Sequence, residues 1–318
     1  MKTLNDICAR PRAALTAFLC ATALGAGALA LAVTRTPLQS PVAMAPMPEA
    51  TTVAVLPKPV VPTESLALAA RFEEAGYDWE ALVSGTRNVP SVAVKRLPAD
   101  LVHLQNTDLR KSLFFRALLP LALEVNAQVH RERTRLLTLK AGIDAGDAPS
   151  PRDAAWLADL ARRYKTDADD WEELALRVDE VPVSLLLAQA AEESGWGTSR
   201  FVREGNALFG QWTWSQGGKA MVPGSRDAGE THKIKSFDSV KGAVAAYVRN
   251  LNSHAAYARF RLERALGASG YDLAGSLENY SERGPRYVSS LRSIIQGNRL
   301  SSLDDARLSR GEIQVVSR

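Results

Sequence analysis

The sequence predicts a mainly α-helical protein with one small β lobe. Apolar residues recur at helical spacing through most of residues 63–200, and this spacing returns at 239–252 and 285–297. The stretch between them is rich in glycine, aromatic and turn-forming residues, and it contains strand-like runs at 208–214 and 231–237. We therefore expect a helical body that is interrupted once by a small sheet.

Composition bounds the class of protein without choosing a function. The 318 residues are enough for one large or two small domains, and the net charge of +4 suits an anionic partner such as a cell-wall polymer, nucleic acid or a membrane surface. The chain has no arginine-rich tract, paired-cysteine finger or RNA-binding aromatic motif, so we expect no nucleic-acid partner. Cys8 and Cys20 both lie in the first 20 residues, which leaves the folded part without a thiol for a disulfide or a zinc site.

The N-terminus has the features of a targeting segment. Lys2, Arg10 and Arg12 precede residues 13–33, which carry no charge and are just long enough to span a bilayer. A small-x-small pattern near the end of this run also fits a cleavage site. Residues 1–33 therefore predict a signal peptide or an N-terminal membrane anchor, which would place the rest of the chain in the periplasm or on the periplasmic face of the inner membrane.

A proline-rich linker and a helical region follow. Residues 34–62 hold seven of the 16 prolines and predict an extended spacer. The folded part is expected to start with a helix cap at Thr63, and residues 63–172 are predicted to be helical. Ser150 and Pro151 form a typical helix start within this region, with the serine as the cap and the proline in the first turn.

The longest helical run lies within residues 100–140. Its expected apolar stripe consists of Leu113, Ala117, Leu121, Val125, Val129, Leu136 and Leu139. Pro120 lies inside this run. It predicts a kink or a break, because proline removes one backbone donor and clashes with the preceding turn.

A further apolar helix is predicted after residues 179–182, and it ends in the string EESGWG. Gln189 and Glu193 are four residues apart and share a face, whereas Glu192 lies about 100° around the helix. Gly195 is expected to end the helix in a left-handed conformation. A partly desolvated carboxyl group here would have a raised pKa and could donate a proton to a glycosidic oxygen, while a solvated helix end is the alternative.

Four strings together carry a family resemblance: LAQAAEESGWGTSRF, GNALFGQW, KSFDSVKGAVAAYVRNL and LENYSERGPRYVSSLRSII. They resemble the bacterial N-acetylglucosaminidase family that cleaves peptidoglycan, and are closest to its Bax protein branch. The resemblance covers about residues 180–300, and residues 97–140 resemble the region that precedes the catalytic domain in that branch. It implies a lysozyme-like fold with the catalytic domain at 173–305, a tail at 306–318, and Glu193 as the catalytic acid.

The resemblance also implies roles for residues around the acid. Asn206 and Phe209 match an Asn-x-Leu-Phe-Gly turn and are candidate substrate contacts, although Phe209 also suits a core position. Trp196 is either a core anchor or an apolar wall that faces Glu193 or a sugar. A late tyrosine is expected across the cleft from the acid, with Tyr287 favoured over Tyr280. Tyr287 is therefore a candidate catalytic residue. The expected substrate-binding residues are Gln189, which shares the face of Glu193, with Trp196, Asn206, Phe209 and Tyr280.

The second carboxylate is less well defined. The family places it in the β lobe, where Glu230 is the first candidate and Asp227 and Asp238 are competitors. If none of them reaches the cleft, the N-acetyl group of the substrate or a water activated by one acid could complete the reaction.

The residues favour a glycosidase that needs no metal or cofactor. The four histidines are scattered and show no metal-binding spacing, and no nucleophile elbow or phosphate-binding loop is present. We expect an endo-β-N-acetylglucosaminidase acting on the glycan strands of peptidoglycan, with possible anchoring at the inner membrane. A lytic transglycosylase and a non-catalytic wall-binding module are the alternatives.

Overall fold

The computed structural model describes residues 63–215, 217–224, 230–309 and 314–316. The predicted leader and linker therefore lie outside the described residues, as does Asp227. Among the helices of the described part, none combines the length and the apolar character that crossing a bilayer requires.

Helices make up most of the described chain. In order they are α1 (Thr63–Glu74), α2 (Trp79–Val83), α3 (Thr107–Asp144), α4 (Pro151–Tyr164), α5 (Trp171–Arg177), α6 (Val183–Ser194), α7 (Arg200–Gly205), α8 (Val240–Ser253), α9 (Ala258–Ala265), α10 (Gly270–Leu273) and α11 (Pro285–Gly297). Short 3₁₀ segments lie at Ala99–His103, Ala255–Tyr257, Ala274–Tyr280 and Leu300–Leu303. The predicted mainly α fold is confirmed.

Local signals set the helix ends as the sequence predicts. Ser150 caps α4 by accepting a hydrogen bond from the Asp153 backbone N–H, and Pro151 is the first helical residue. Gly195 ends α6 in the left-handed conformation, with φ 56° and ψ 49°. Each of these positions has a residue type that supplies the missing partner or the unusual dihedral angle.

Helix α3 runs without interruption through Pro120, so the predicted break does not occur there. The proline is buried together with the apolar stripe, of which Leu113, Ala117, Leu121 and Val125 are buried. Burial of this stripe against the rest of the core stabilises the helix on both sides of the proline and offsets the lost backbone hydrogen bond.

The strands are short and lie in three sheets within the described residues. They are β1 (Asn88–Val89), β2 (Val92–Val94), β3 (Trp212–Thr213), β4 (Ala220–Met221), β5 (Lys233–Lys235), β6 (Arg307–Leu308) and β7 (Gln314–Val316). The predicted β lobe is the antiparallel sheet β3-β5-β4, in which Trp212 and Met221 both lie opposite Ile234.

The C-terminal segment is part of the fold rather than a tail. Strand β6 pairs in parallel with β1, and β7 pairs in parallel with β2, so residues after 306 return to the N-terminal part of the folded chain. This corrects the predicted tail at 306–318. The physical reason is that each two-residue or three-residue strand exposes backbone groups that only a distant partner can satisfy.

The predicted helical region 63–172 and catalytic domain 173–305 share one core. The described residues from 63 onward belong to one compact unit. Helix α6 lies at its centre, packed against α3, α11 and the 3₁₀ segment Leu300–Leu303. Because α6 is buried along most of its length, its C-terminal end has a fixed position, and the candidate acid lies at that end.

Candidate active site

The SGWG string forms a tight left-handed turn at the end of α6. Gly195, Trp196 and Gly197 all have positive φ, at 56°, 59° and 78°. The Ser194 hydroxyl accepts a hydrogen bond of 2.8 Å from the Gly197 backbone N–H and closes the turn. A Cβ on Gly197 would lie 2.8 Å from a Leu97 side-chain carbon, so this position needs glycine both for its φ and for its space.

Glu193 lies immediately before this turn and faces a cleft of about 1080 Å³. The cleft lies between the β lobe and the helical body. Its lining includes Glu193, Phe209, Gly210, Gln211, Trp212, Lys235, Arg249, Asn250, Tyr257, Tyr280, Glu282 and Arg283. Gly210 faces the carboxyl group closely, because a Cβ built on it would lie 4.0 Å from Glu193 Oε2.

Burial raises the pKa of Glu193 above its ordinary value, because the charged carboxylate loses hydration there. A hydrogen bond from Tyr287 and the positive charge of Arg283 act in the opposite direction, whereas the charge of Glu192 adds to the increase. Desolvation is the largest of these effects. The side chain is therefore suited to holding a proton and releasing it during a reaction.

A buried chain of neutral groups holds Glu193 from behind. The Tyr247 hydroxyl donates to Gln189 Oε1, and Gln189 Nε2 donates to the Tyr287 hydroxyl at 2.9 Å. The Tyr287 hydroxyl in turn hydrogen-bonds the Glu193 carboxyl group. Gln189 and Tyr247 have no exposed surface and Tyr287 is 1% exposed. The three residues therefore position the Glu193 side chain. Tyr287 does not line the cleft across from Glu193, which corrects the expectation of a catalytic tyrosine there, because its hydroxyl is held between Gln189 and Glu193.

Aromatic rings connect this chain to the cleft wall. Phe209 stacks on Tyr247 with a centroid distance of 4.0 Å, and Tyr280 stacks on Tyr287 at 5.7 Å. The Tyr280 hydroxyl donates to the Phe209 carbonyl at 3.1 Å. Phe209 and Tyr280 line the cleft, and they also pack against Tyr247 and Tyr287 behind Glu193.

Glu192 is tied to the rim of the cleft. It pairs with Arg283, whose guanidinium also donates to Ser290 Oγ at 2.7 Å. The two adjacent glutamates thus have different surroundings, one with a strong cationic partner and the other with a tyrosine hydroxyl. This difference agrees with the expectation that they lie on different faces of the helix.

Trp196 does not face the acid. Its ring packs edge-on against Phe114 at 6.0 Å and Phe115 at 5.2 Å, and the Lys111 ammonium lies 5.0 Å from its centroid. The tryptophan is absent from the lining of the cleft. This corrects the expectation of a sugar contact or an apolar wall beside Glu193: the left-handed turn directs the ring onto α3, where it anchors the core.

Asn206 and Gln189 are also structural. Asn206 is 1% exposed, adopts a left-handed conformation at the end of α7, and donates to the Phe237 carbonyl at 2.8 Å. It therefore ties the loop after α7 to the β lobe. Gln189 is fully buried between Tyr247 and Tyr287. The expectation of direct substrate contact is corrected for both residues.

Glu230 contacts a histidine that packs on the cleft wall. Its carboxylate is 3.3 Å from His232 Nδ1, and the His232 ring stacks on Trp212, which lines the cleft. Glu230 itself is not among the lining residues, and its side chain is 43% exposed. The competitor Asp238 pairs with Lys219 on an exposed surface.

Several cleft residues were not identified from the sequence. Glu282 is the described carboxylate that lines the cleft in addition to Glu193, and Trp212 presents a ring that is 53% exposed. The aromatic string QWTW in the β lobe is a signal that could have indicated Trp212. Lys165 and Arg249 also line the cleft, although their positions in the sequence carry no motif.

The arrangement can donate a proton from Glu193 inside the cleft. No group of three or more histidine, cysteine or carboxylate side chains in the described ranges could hold a metal ion. The cleft itself contains a carboxyl group that is partly shielded from solvent, together with aromatic and basic side chains.

Comparison with known proteins shows which family the chain is similar to. The glucosaminidase family model, described as mannosyl-glycoprotein endo-beta-N-acetylglucosaminidase, matches residues 168–300. Protein bax from Escherichia coli (strain K12) is 36% identical over 202 residues, which are 59% of this chain and 70% of that protein. The catalytic domain of the autolysin Auto from Listeria monocytogenes has a TM-score of 0.34 and 19% identity, over 52% of this chain and 96% of that chain. The helical body with its small sheet fits a lysozyme-like fold.

Proposed function

This chain belongs to the glucosaminidase family, and we propose that it is a peptidoglycan hydrolase that cleaves glycan strands at N-acetylglucosamine with Glu193 as the general acid. The observation that carries the proposal is the Glu193 carboxyl group, which faces the cleft and has a pKa raised by burial. A protonated carboxylic acid beside the scissile bond is what glycoside cleavage requires.

In the proposed reaction the Glu193 carboxyl group protonates the glycosidic oxygen as positive charge develops on the sugar ring. Tyr287 keeps the carboxyl group oriented and stabilises the carboxylate that forms after proton transfer. Trp212 and Tyr280 offer aromatic faces to the sugar rings. The carboxylate then accepts a proton from the attacking water and returns to its starting state.

The second catalytic group is proposed to come from one of two carboxylates or from the substrate. Glu230 contacts His232, whose ring stacks on the cleft residue Trp212, whereas Glu282 lines the cleft directly. If both Glu230→Gln and Glu282→Gln retain activity, the N-acetyl group of the substrate or a singly activated water supplies this step.

The acid is tested with Glu193→Gln, which keeps the shape of the side chain but has no proton to donate. Glu172→Gln is the matched control, because Glu172 is an exposed carboxylate in the first turn of α5, away from the cleft. We expect wild type and the control to clear a peptidoglycan zymogram and the Glu193 variant to fail. Equal clearing by wild type and the Glu193 variant would refute the assignment.

Product analysis and wall binding separate the proposal from its rivals. Mass spectrometry of released muropeptides should find reducing N-acetylglucosamine ends, whereas 1,6-anhydro-muramyl ends would indicate a lytic transglycosylase. A non-catalytic wall-binding module would sediment with sacculi but release nothing, in wild type as in the Glu193 variant.

Action on the wall requires export, which we propose from the basic and apolar pattern of residues 1–33, outside the described residues. Fractionation of cells that express the full chain should recover it with the periplasm or the inner membrane. Recovery only in the cytoplasm would contradict this part of the proposal.

A further inference from the structure

One face of α8 forms a long side of the cleft. Residues 242, 245, 246, 249, 250 and 253 all line it and recur at the spacing of a single helix face. At the rise of an α-helix, the 12 residues from the first to the last of these span about 16 Å. The groove therefore extends well beyond one sugar ring, and one end of it lies where α8 packs against α4.

Cations predominate along this cleft. Five basic side chains line it, against the two carboxylates Glu193 and Glu282. Two of the five are engaged, since Arg163 pairs with Glu132 and Asp159, and Arg283 pairs with Glu192. Lys165, Lys235 and Arg249 make no ion pair with another described residue. The cleft therefore presents positive charge that its own carboxylates do not neutralise.

Lys165 and Arg249 both line the part of the cleft where α8 packs against α4. Lys165 directly follows Tyr164, the last residue of α4, and the charge of Arg249 acts on the Tyr164 hydroxyl. Both side chains are exposed. The charges that act on Glu193 are those of Glu192 and Arg283, so this pair is not placed to assist the acid.

Lys165 occupies a backbone position that favours glycine. It ends α4 in the left-handed conformation, with φ 58° and ψ 49°, where a residue with a Cβ loses conformational free energy. The Lys165 side chain nevertheless lines the cleft. A residue that breaks the local rule at a cleft is expected to contribute something other than stability.

We propose that Lys165 and Arg249 form a subsite for the carboxylates of the peptide attached to the glycan strand, so that the enzyme prefers peptide-bearing strands to bare ones. The proposal rests on the proposed function, because it assigns the substrate class of the same cleft. Two cations at one end of the groove match an anionic substituent, whereas the uncharged sugar backbone needs none. Exposed charges of this kind add selectivity and association rate, and salt weakens their effect.

The test compares Lys165→Gly/Arg249→Gln with wild type on two substrates, intact sacculi and glycan strands stripped of peptide by an amidase. Lys165→Gly gives α4 the residue that its end conformation favours, so the variant should fold at least as well as wild type. Arg131→Gln/Arg299→Gly is the matched control. It also removes two positive charges, one from the exposed Arg131 in α3 and one from a left-handed position with φ 53°.

We expect the cleft variant to lose about 3- to 10-fold in kcat/KM on sacculi, the size of two weak exposed ion pairs. Its kcat/KM on stripped strands should not change, and the control should match wild type on both substrates. Equal losses of the cleft variant on both substrates, or a wild type with no preference for sacculi, would overturn the subsite. A wild type that cleaves neither substrate would instead refute the proposed function.

Binding provides a readout that does not depend on cleavage. In the Glu193→Gln background, cosedimentation with sacculi should weaken when the Lys165 and Arg249 substitutions are added. Raising the salt concentration should reduce the difference between the two proteins. Identical affinity at low salt would also overturn the subsite.

Discussion

Replacing Tyr287 with phenylalanine tests whether the Tyr287 hydroxyl affects the pKa of Glu193. The substitution keeps the ring that stacks on Tyr280 but removes the hydroxyl between Gln189 and Glu193. Two effects follow from this one atom. Glu193 loses a hydrogen bond that favours its charged form, and Gln189 Nε2 is left as a buried donor without its partner.

The first effect is the loss of the hydrogen bond from Tyr287 to Glu193. The hydrogen bond from Tyr287 lowers the pKa of Glu193, so its loss raises that pKa further. A hydrogen bond to a charged group is worth about 1.5–3 kcal/mol. A general acid must be protonated, so the alkaline limb of the kcat/KM profile should move to higher pH.

Tyr247→Phe is the matched control for the second effect. It leaves Gln189 Oε1 without its donor, just as Tyr287→Phe leaves Gln189 Nε2 without its acceptor. Unlike Tyr287, Tyr247 is not among the described residues that hydrogen-bond Glu193. Both variants should lose about 1–3 kcal/mol of unfolding free energy. Only Tyr287→Phe should shift the pH profile.

The assay is the release of soluble muropeptides from sacculi at a series of pH values, together with thermal melts of both variants. An alkaline limb that stays in place in Tyr287→Phe, or that moves equally in both variants, would refute the assignment of Tyr287 as the partner of the acid. A shift toward lower pH would contradict the sign of the argument.

Two further predictions concern stability. The pKa of Glu193 is raised from 4.5 in the folded state, so wild type loses unfolding free energy as pH rises from 4.5 through the folded-state pKa. Glu193→Gln has no such loss. It should therefore melt at a higher temperature than wild type above the folded-state pKa, and at the same temperature as wild type below pH 4.5. A difference in melting temperature that does not depend on pH would contradict the raised pKa. Gly197→Ala should lose about 2–4 kcal/mol in chemical denaturation, because its Cβ would meet Leu97 at 2.8 Å with φ at 78°, whereas Gly146→Ala, with positive φ and open space, should lose less.

The helical body could be predicted because its signals are local. The Ser150-Pro151 start of α4 and the Gly195 end of α6 each depend on neighbours within a few residues. The choice of position 193 as the candidate acid came from the same helix together with the family resemblance, and it stays a prediction. Periodicity also identified the buried stripe of α3, since the spacing of apolar residues reports the buried face directly.

The errors at the C-terminus and at Gln189 depend on contacts between distant parts of the chain. Sequence spacing gave no sign that β6 and β7 pair with strands more than 200 residues earlier. Trp196 was placed near the acid because of its position in the motif, but its positive φ turns the ring toward α3. Gln189 shares a face with Glu193 as expected, yet its partners lie 58 and 98 residues away, and they turn a candidate ligand into an internal support.

The residues that form the hydrogen-bonded chain behind Glu193 are uncharged, and burial therefore has the largest effect on the pKa of Glu193. Burial raises the pKa values of Tyr247 and Tyr287, so both tyrosines stay uncharged at neutral pH, and the amide of Gln189 has no charge. The charges near Glu193 are those of Glu192 and Arg283, which oppose each other and are paired together. A lysine or arginine in place of Gln189 would instead stabilise the carboxylate and lower the pKa. A chain of neutral hydrogen bonds can therefore fix the orientation of the acid without removing the desolvation that keeps its proton in place.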